Sequence, residues 1–319
     1  MPASDPVIVV VGSVNVDMIV RSETLPRPGE TVVGGELLTA GGGKGANQAV
    51  AARRLGADVR FIACVGQDPA GSAELARLQE DGLATSWVRI DAAAPTGTAL
   101  ILVDRHGQNM ISVAPGANAR LSPADVQAAR MAFASAQVLL VQLEVPLDTV
   151  RAALELGRAH GLITILNPAP AGSLPDDLLR LVDWLTPNEV EAAALLGTRV
   201  EGLEAALAAA RALRMRGPRH VVITLGAQGA VYAGDGDGWW VPPFPVAAVD
   251  STAAGDAFNA ALAVALAEGR PIPEVLRYAG AAGACAVTHA GARPSLPSRD
   301  DVAALLARAG GATVTGTRG

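Results

Sequence analysis

Four apolar runs in the second half of the chain each end on polar residues. Val138 to Leu143 ends on Glu144, Ile163 to Leu166 on Asn167, Trp184-Leu185 on Thr186-Pro187-Asn188, and Val221 to Ile223 on Thr224. Helical stretches separate them. From about residue 120, therefore, strand and helix alternate as a parallel sheet with crossover helices requires. In open sheets of this kind, ligands bind in the crevice outside the carboxyl ends of the strands. One polar residue there is an ordinary loop start. Four in succession point to a polar cleft.

The first half adds to the same sheet. Val7 to Val11 is another strand of the buried, fully apolar type, followed by Gly12-Ser13-Val14-Asn15-Val16-Asp17. From there to Ala40 the pattern is short and turn-rich, which predicts small strands outside the main sheet. Gly41-Gly42-Gly43-Lys44-Gly45-Ala46-Asn47 opens a helix, Ala46 to Leu55, closed by Gly56. Val59 to Val65 reads as a strand and Ala73 to Gln79 as a helix. Ala99 to Val103 and Met110 to Ala114, joined by Asp104-Arg105-His106-Gly107, form a hairpin pattern. No repeat or linker divides the chain. Residues 1–309 are expected to form one α/β domain with a small strand appendage, and 310–319 a disordered tail.

Composition narrows the partners. Half the residues are hydrophobic and 18% are charged, enough for a large core. A net charge of -6 without a basic cluster argues against nucleic acid. No apolar run approaches the ~20 residues needed to cross a bilayer, and the apolar run that stops at Gly12 has no basic stretch before it. A cytoplasmic location is expected. Cys64 and Cys285 lie far apart with neither metal spacing nor a disulfide framework. A small molecule is the expected partner.

The stretch Asp250-Ser251-Thr252-Ala253-Ala254-Gly255-Asp256-Ala257-Phe258-Asn259 leads into an Ala-rich helix, Ala257 to Glu268. Small residues at a helix start leave backbone N–H groups free for an anion, favoured further by the helix dipole. Asp256 fits two roles there: it stabilises the first turn, or it is a general base beside a phosphate loop. The stretch alone does not decide. The Gly41-to-Asn47 loop fails the Walker A pattern, because Leu38 and Gly45 stand where Gly and Ser or Thr are needed. Yet Lys44 is the only lysine in the chain, every other strong cation being Arg. That usage suits a site too tight for a guanidinium, against the alternative of chance. Thr224-Leu225-Gly226-Ala227-Gln228-Gly229 turns into a hairpin with Ala230 to Tyr232, and its glycines would let a phosphate or purine lie against backbone. Glu191, in Asn188-Glu189-Val190-Glu191, either favours the positive end of a helix or holds water on Mg²⁺.

These residues together resemble the ribokinase group of PfkB-type carbohydrate kinases, from about Val7 to Leu305. Gly12 to Asp17 resembles the family's opening sugar-binding segment, Gly42 to Ala49 its first signature, and Asp250 to Phe258 its second. Asn167-Pro168-Ala169-Pro170 and Thr186-Pro187-Asn188-Glu189 lie between them. The resemblance implies an α/β, ribokinase-like three-layer sandwich with a mostly parallel central sheet. It also implies a small β-strand lid from about 14–40 and 97–114, which closes on the sugar and pairs two subunits.

It further implies ATP-dependent phosphorylation of the 5-hydroxyl of D-ribose, to give ribose 5-phosphate and ADP. Asn15, Asp17, Gly43, Lys44, Gly45, Ala46, Asn47 and Glu144 would line the sugar, and Asp256 would be the general base. Ala253, Ala254 and Gly255 would offer N–H groups to the migrating phosphoryl. Asn188, Thr224, Leu225, Gly226, Ala227, Gln228, Gly229, Gly255 and Gly280 would line the ATP, with Glu191 supporting Mg²⁺ or another divalent cation. Asp250, Thr252, Ala286, His289, Gly291 and Ser295 match positions that enclose a monovalent cation, K⁺. Ser251-Thr252, Gly280 and His289 depart from the residues common in the family. The alternatives are a kinase for deoxyribose, fructose, adenosine or inosine, or a non-catalytic sugar-binding protein. A nucleoside would need an aromatic shelf, which 3% aromatic residues hardly supply.

Overall fold

Along Val7–Val11 the side chains alternate between two cores: Ile8 and Val10 enter one, Val9 and Val11 the other. A strand buried on both faces has no room for a polar side chain, which explains the unbroken apolar run. The computed structural model describes residues 5–236, 238–309 and 315–316.

The strands are β1 (Val7–Val11), β2 (Asn15–Arg21), β3 (Leu37–Gly42), β4 (Asp58–Gly66), β5 (Val88–Asp91), β6 (Gly97–Val103) and β7 (Asn109–Ala114). After them come β8 (Val138–Val141), β9 (Ile163–Leu166), β10 (Trp184–Leu185), β11 (His220–Thr224), β12 (Ala230–Ala233), β13 (Trp239–Val241) and β14 (Thr315–Gly316). The helices are α1 (Lys44–Arg54), α2 (Pro69–Glu80), α3 (Pro123–Ala128), α4 (Leu147–Ala159) and α5 (Asp176–Leu179). The remaining five are α6 (Glu189–Leu196), α7 (Gly202–Met215), α8 (Ala254–Ala267), α9 (Ile272–Ala286) and α10 (Arg299–Arg308).

The main sheet runs β14-β13-β12-β11-β10-β9-β8-β1-β4-β5. From β11 to β5 every pairing is parallel, and β12 to β14 add antiparallel strands at one edge. Apolar residues of α1, α8, α9 and α10 pack on one face, and those of α3 to α7 on the other. This is the three-layer sandwich with its mostly parallel sheet. Among the described residues no helix is long and apolar enough to cross a membrane.

A second sheet, β3-β2-β6-β7, stands outside the first. The expected hairpin is β6 and β7, with Ile101 opposite Ile111. Some boundaries differ from expectation. Helices α1 and α8 begin two and three residues earlier than predicted, and β8 ends at Val141 rather than Leu143. Strand β13 was not anticipated. Most of the tail 310–319 lies outside the described residues, but Thr315 and Gly316 pair with Trp240 and Trp239.

Candidate active site

Helix α8 starts without a side-chain cap. Its N-cap, Ala253, takes a left-handed conformation with φ 60°, which costs about 1–2 kcal/mol for a residue with a Cβ. The first intrahelical bond runs from the Ala257 N–H to the Ala253 carbonyl, so the N–H groups of Ala254, Gly255 and Asp256 precede it. The Ala254 N–H reaches the Ser251 carbonyl at 3.3 Å. A Cβ placed on Gly255 would meet nothing within 4 Å. An open, uncapped terminus of this kind accepts an anion where a Ser or Asp cap would fill it.

Asp256 sits in this first turn and is almost fully buried. Asn47 Nδ2 donates to its Oδ2 and Gln48 Nε2 to its Oδ1, both at 3.0 Å. Burial pushes the Asp256 carboxyl up, while Lys44 and the two amide donors pull it down, with a net rise. Gln48 Nε2 also donates to Asn167 Oδ1 at 3.2 Å, and Asn167 Nδ2 to the Thr186 carbonyl at 3.1 Å. Thr186 Oγ1 donates to Asn259 Oδ1 at 2.5 Å, and Asn259 Nδ2 to the Gly255 carbonyl at 2.8 Å. A buried network therefore runs from the carboxylate, through the ends of β9 and β10, back to the anion loop. Such a network stays rigid because each member left unpaired would be costly.

The other wall comes from the glycine loop and the second sheet. Gly43 has φ 88°, and a Cβ there would lie 2.8 Å from the Asn15 amide nitrogen. The Gly45 N–H donates to Ser13 Oγ at 3.2 Å and the Ala46 N–H to the Ser13 carbonyl at 2.9 Å. Glu144 Oε2 accepts from Ser13 Oγ at 2.5 Å and from the Lys44 N–H at 2.9 Å. Asn118 Nδ2 donates to Asn15 Oδ1 at 2.8 Å, which orients that amide. Asn47 Oδ1 is buried with no partner, an acceptor position that a sugar hydroxyl would satisfy. Burial and the neighbouring Glu144 push Asp17 up to about 7. Burial alone would lower the Lys44 ammonium, but Asp256, Glu144 and Glu191 together raise it. The charge of one ammonium is thus favoured by carboxylates from three separate elements.

At the ends of β10 and β11, Asn188 and Thr224 form a bridge. Gly226–Gln228 is a 3-10 turn, which the Leu225 N–H closes on the Gly229 carbonyl at 2.8 Å. Ala227 is its middle residue, and Trp240 Nε1 donates to the Gln228 carbonyl at 2.9 Å. Gly280 on α9 faces Phe244, whose ring would lie 3.6 Å from an added Cβ. Asn188 and Glu191 form a capping box at the start of α6. Glu191 is nonetheless buried beside Lys44 and Asp256, and burial raises its carboxyl. Among the described residues no three His, Cys, Asp or Glu side chains converge as a metal ligand set.

The last group lies on two loops that meet. Asp250 Oδ2 accepts from the Gly291 N–H at 2.9 Å, and its Oδ1 from Thr252 Oγ1 at 2.6 Å. The N–H of Val249 donates to the Val287 carbonyl, just after Ala286, at 2.7 Å. His289 Nδ1 lies 2.9 Å from Thr288 Oγ1, and Ser295 Oγ donates to the Ala292 carbonyl at 2.8 Å.

Gln48, Asn118, Asn259, Ser13, Glu74 and Arg293 were not singled out from the sequence. Gln48 and Asn259 carried a signal: each is a polar side chain within a run of small apolar residues on a helix facing the core. Arg293 and Glu74 carried none.

Residues 5–299 match the sequence pattern of the pfkB family carbohydrate kinases. The chain is 40% identical over 300 residues to the ribokinase of Haemophilus influenzae, covering 94% of this chain and 98% of that one. It is 36% identical over 292 residues to the deoxyribokinase of Salmonella typhi, covering 91% and 95%. The structure of Arabidopsis thaliana ribokinase complexed with ribose and ATP superposes with a TM-score of 0.86 at 33% identity, covering 95% of this chain and 99% of that one.

Proposed function

This chain belongs to the pfkB family of carbohydrate kinases, and from that premise we propose that it transfers the γ-phosphoryl group of ATP to the 5-hydroxyl of D-ribose. The observation that carries this reading is the placement of Asp256. It is a buried carboxylate held on both oxygens by amide donors, in the first turn of an uncapped helix beside the Lys44 loop. A carboxylate whose proton affinity is raised by burial can take the proton of an alcohol.

In the reaction, Asp256 accepts the proton of the 5-hydroxyl as the sugar oxygen bonds to the γ-phosphorus. The bond from that phosphorus to the bridging oxygen breaks, and ADP leaves. The N–H groups at the start of α8 face the transferring phosphoryl, whose charge preorganised donors stabilise. Asn15, Asp17, Asn47 and Glu144 orient the sugar, with Gly43 to Ala46 forming the wall on which it rests. The Lys44 ammonium, kept charged by Asp256, Glu144 and Glu191, adds positive charge to the site. Thr224 to Gly229, Asn188 and Gly280 line the nucleotide. Glu191 would hold Mg²⁺ on this side of the site, and the ion would supply charge neutralisation on the triphosphate. Asp250 with Thr252 and the carbonyls of Ala286, His289, Gly291 and Ser295 offers the hard oxygens that suit K⁺.

The second sheet acts as the lid and pairs two subunits. Both of its faces are apolar: exposed Ile111 and Val113 share the face of Asp17, and exposed Leu100 and Met110 lie on the other. Natural proteins cover such sheets and their edges. A cytoplasmic location goes with this reading, since ATP is supplied there.

The test is kcat/KM under Mg-ATP for ribose, deoxyribose, fructose, adenosine and inosine. Ribose is expected to give the highest value. A higher value for any other acceptor, or no turnover of ribose, overturns the assignment.

A further inference from the structure

Outside the residues assigned above, the most deeply buried charges among the described residues form one pair beneath the sugar wall. Arg293 lies in the 3-10 turn Arg293–Ser295 and Glu74 on α2, and their side chains are 7% and 0% exposed. Arg293 Nη2 lies 2.7 Å from Glu74 Oε2 and donates to the Gly42 carbonyl at 3.3 Å. Glu74 Oε1 is paired with Arg77. Nε and Nη1 of Arg293 are buried with no hydrogen-bond partner. A buried pair of this kind is seldom kept for stability, because desolvation offsets most of its attraction.

The glycine loop is built around this guanidinium. A Cβ on Gly41 would overlap Arg293 Nη1 and the guanidinium carbon, and one on Gly42 would overlap the Asp17 carboxylate. Arg293 is thus packed against one glycine and Asp17 against the next. The turn itself is tied to the helix that carries Asn47, because Arg54 Nη1 donates to the Arg293 and Leu296 carbonyls at 2.8 and 3.0 Å. We propose that Arg293, paired with Glu74, is a positioning residue of the sugar site: it fixes the Gly41–Gly42 backbone and sets the charge that Asp17 meets on its inner side. Four charged groups act on Asp17. Glu144, Glu74 and Asp256 raise its carboxyl and Arg293 lowers it. This rests on the sugar-kinase reading, and it adds a determinant of sugar affinity that does not touch the sugar.

Three variants test it by steady-state kinetics with ribose as the varied substrate. Arg293→Gln should raise the ribose KM roughly ten- to a hundredfold, the loss expected when a binding group is misplaced by about an ångström, with kcat and the ATP KM changed far less. Gly41→Ala should reproduce that split, because the added methyl displaces the guanidinium without removing it. It carries the test if Arg293→Gln does not fold. The acidic limb of the kcat/KM profile should move up in pH for Arg293→Gln and down for Glu74→Gln. An unchanged ribose KM in Arg293→Gln or Gly41→Ala, or limbs that move in the same direction, would overturn the proposal. If the wild type turns over another sugar instead of ribose, the functional reading fails, and the same split is read with that sugar.

Discussion

Asn47 on α1 and Asp256 on α8 meet at 3.0 Å although 209 residues separate them. Gln48, the next residue on α1, takes the other oxygen of the same carboxylate. Consecutive helical side chains point about 100° apart, so two neighbours reach one carboxylate only if it sits close against the helix between them. The Ala-rich faces of α1 and α8 allow that approach. The position of the Asp256 carboxylate is thereby fixed by helix packing rather than by its own loop.

Asp256→Asn should lower kcat by roughly 10²–10⁴, the usual size of a general-base contribution. Ribose affinity, measured by calorimetry without nucleotide, should change little, because Asn47 and Glu144 remain. A variant with near wild-type kcat would remove the assignment.

The titration of Asp17 gives a pH dependence with a definite sign. Its carboxyl is pushed up to about 7, by burial first and then by Glu144. The ionised form is the one that accepts sugar hydroxyls on both oxygens, so kcat/KM for ribose should fall as pH drops through about 7. Because this carboxyl is raised in the folded state, the native protein binds the extra proton between the unfolded value near 4 and about 7. The group's contribution to stability is therefore present at low pH and lost as pH rises through that window. Asp17→Asn should flatten both trends, seen in pH profiles of rate and of Tm. An unaltered acidic limb in the variant would exclude Asp17 as its source.

Lys44→Arg should lower kcat/KM for ribose despite keeping the charge. Lys44 belongs to a glycine-rich loop, its charge favoured by Asp256, Glu144 and Glu191, and a larger planar group has a different shape to accommodate there. Equal kcat/KM for variant and wild type would make the lysine incidental.

Physical reasons separate what the sequence revealed from what it hid. Buried parallel strands are apolar throughout, so Val7–Val11 and Ile163–Leu166 could be read to the residue. The small-residue run Ala253 to Gly255 marked a helix start because nothing else leaves N–H groups so accessible. The left-handed Ala253 was not foreseen, since that conformation ordinarily selects Gly. Asn188-Glu189-Val190-Glu191 was legible as the opening of a helix, and the structure adds a capping box there while burying Glu191. The ion pair of Arg293 and Glu74 was invisible, because each residue reads as a surface charge until folding brings two distant turns of chain together. Strand β13 was hidden by the prolines that follow it.

The second sheet, proposed above as a lid, should make the protein a dimer at micromolar concentration. Leu100, Met110, Ile111 and Val113 are each roughly half exposed in the single chain. Ile111→Asp should yield a monomer by sedimentation, with a raised ribose KM, because the lid would lose its support. A monomeric wild type would count against the pairing.

The final prediction concerns the two loops joined by Asp250 and Gly291. Asp250 is held ionised: burial alone would raise its carboxyl, but hydrogen bonds from Thr252 and Gly291 outweigh that and lower it. An ionised carboxylate beside a turn is a favourable place for a monovalent cation, whose hydration shell carbonyl oxygens can replace. The turn lies just before Ala253, whose left-handed conformation aims the α8 N–H groups, so an ion there would act by holding those donors in place. Activity should therefore be higher in K⁺ than in Na⁺, with the effect on kcat or on the ATP KM. Asp250→Asn should lower the cation's effect without abolishing turnover, since no reacting atom touches Asp250. The assay is run in a bulky organic cation at matched ionic strength, with K⁺ then added back. A rate equal to that in KCl would mean that Asp250 only fastens the two loops.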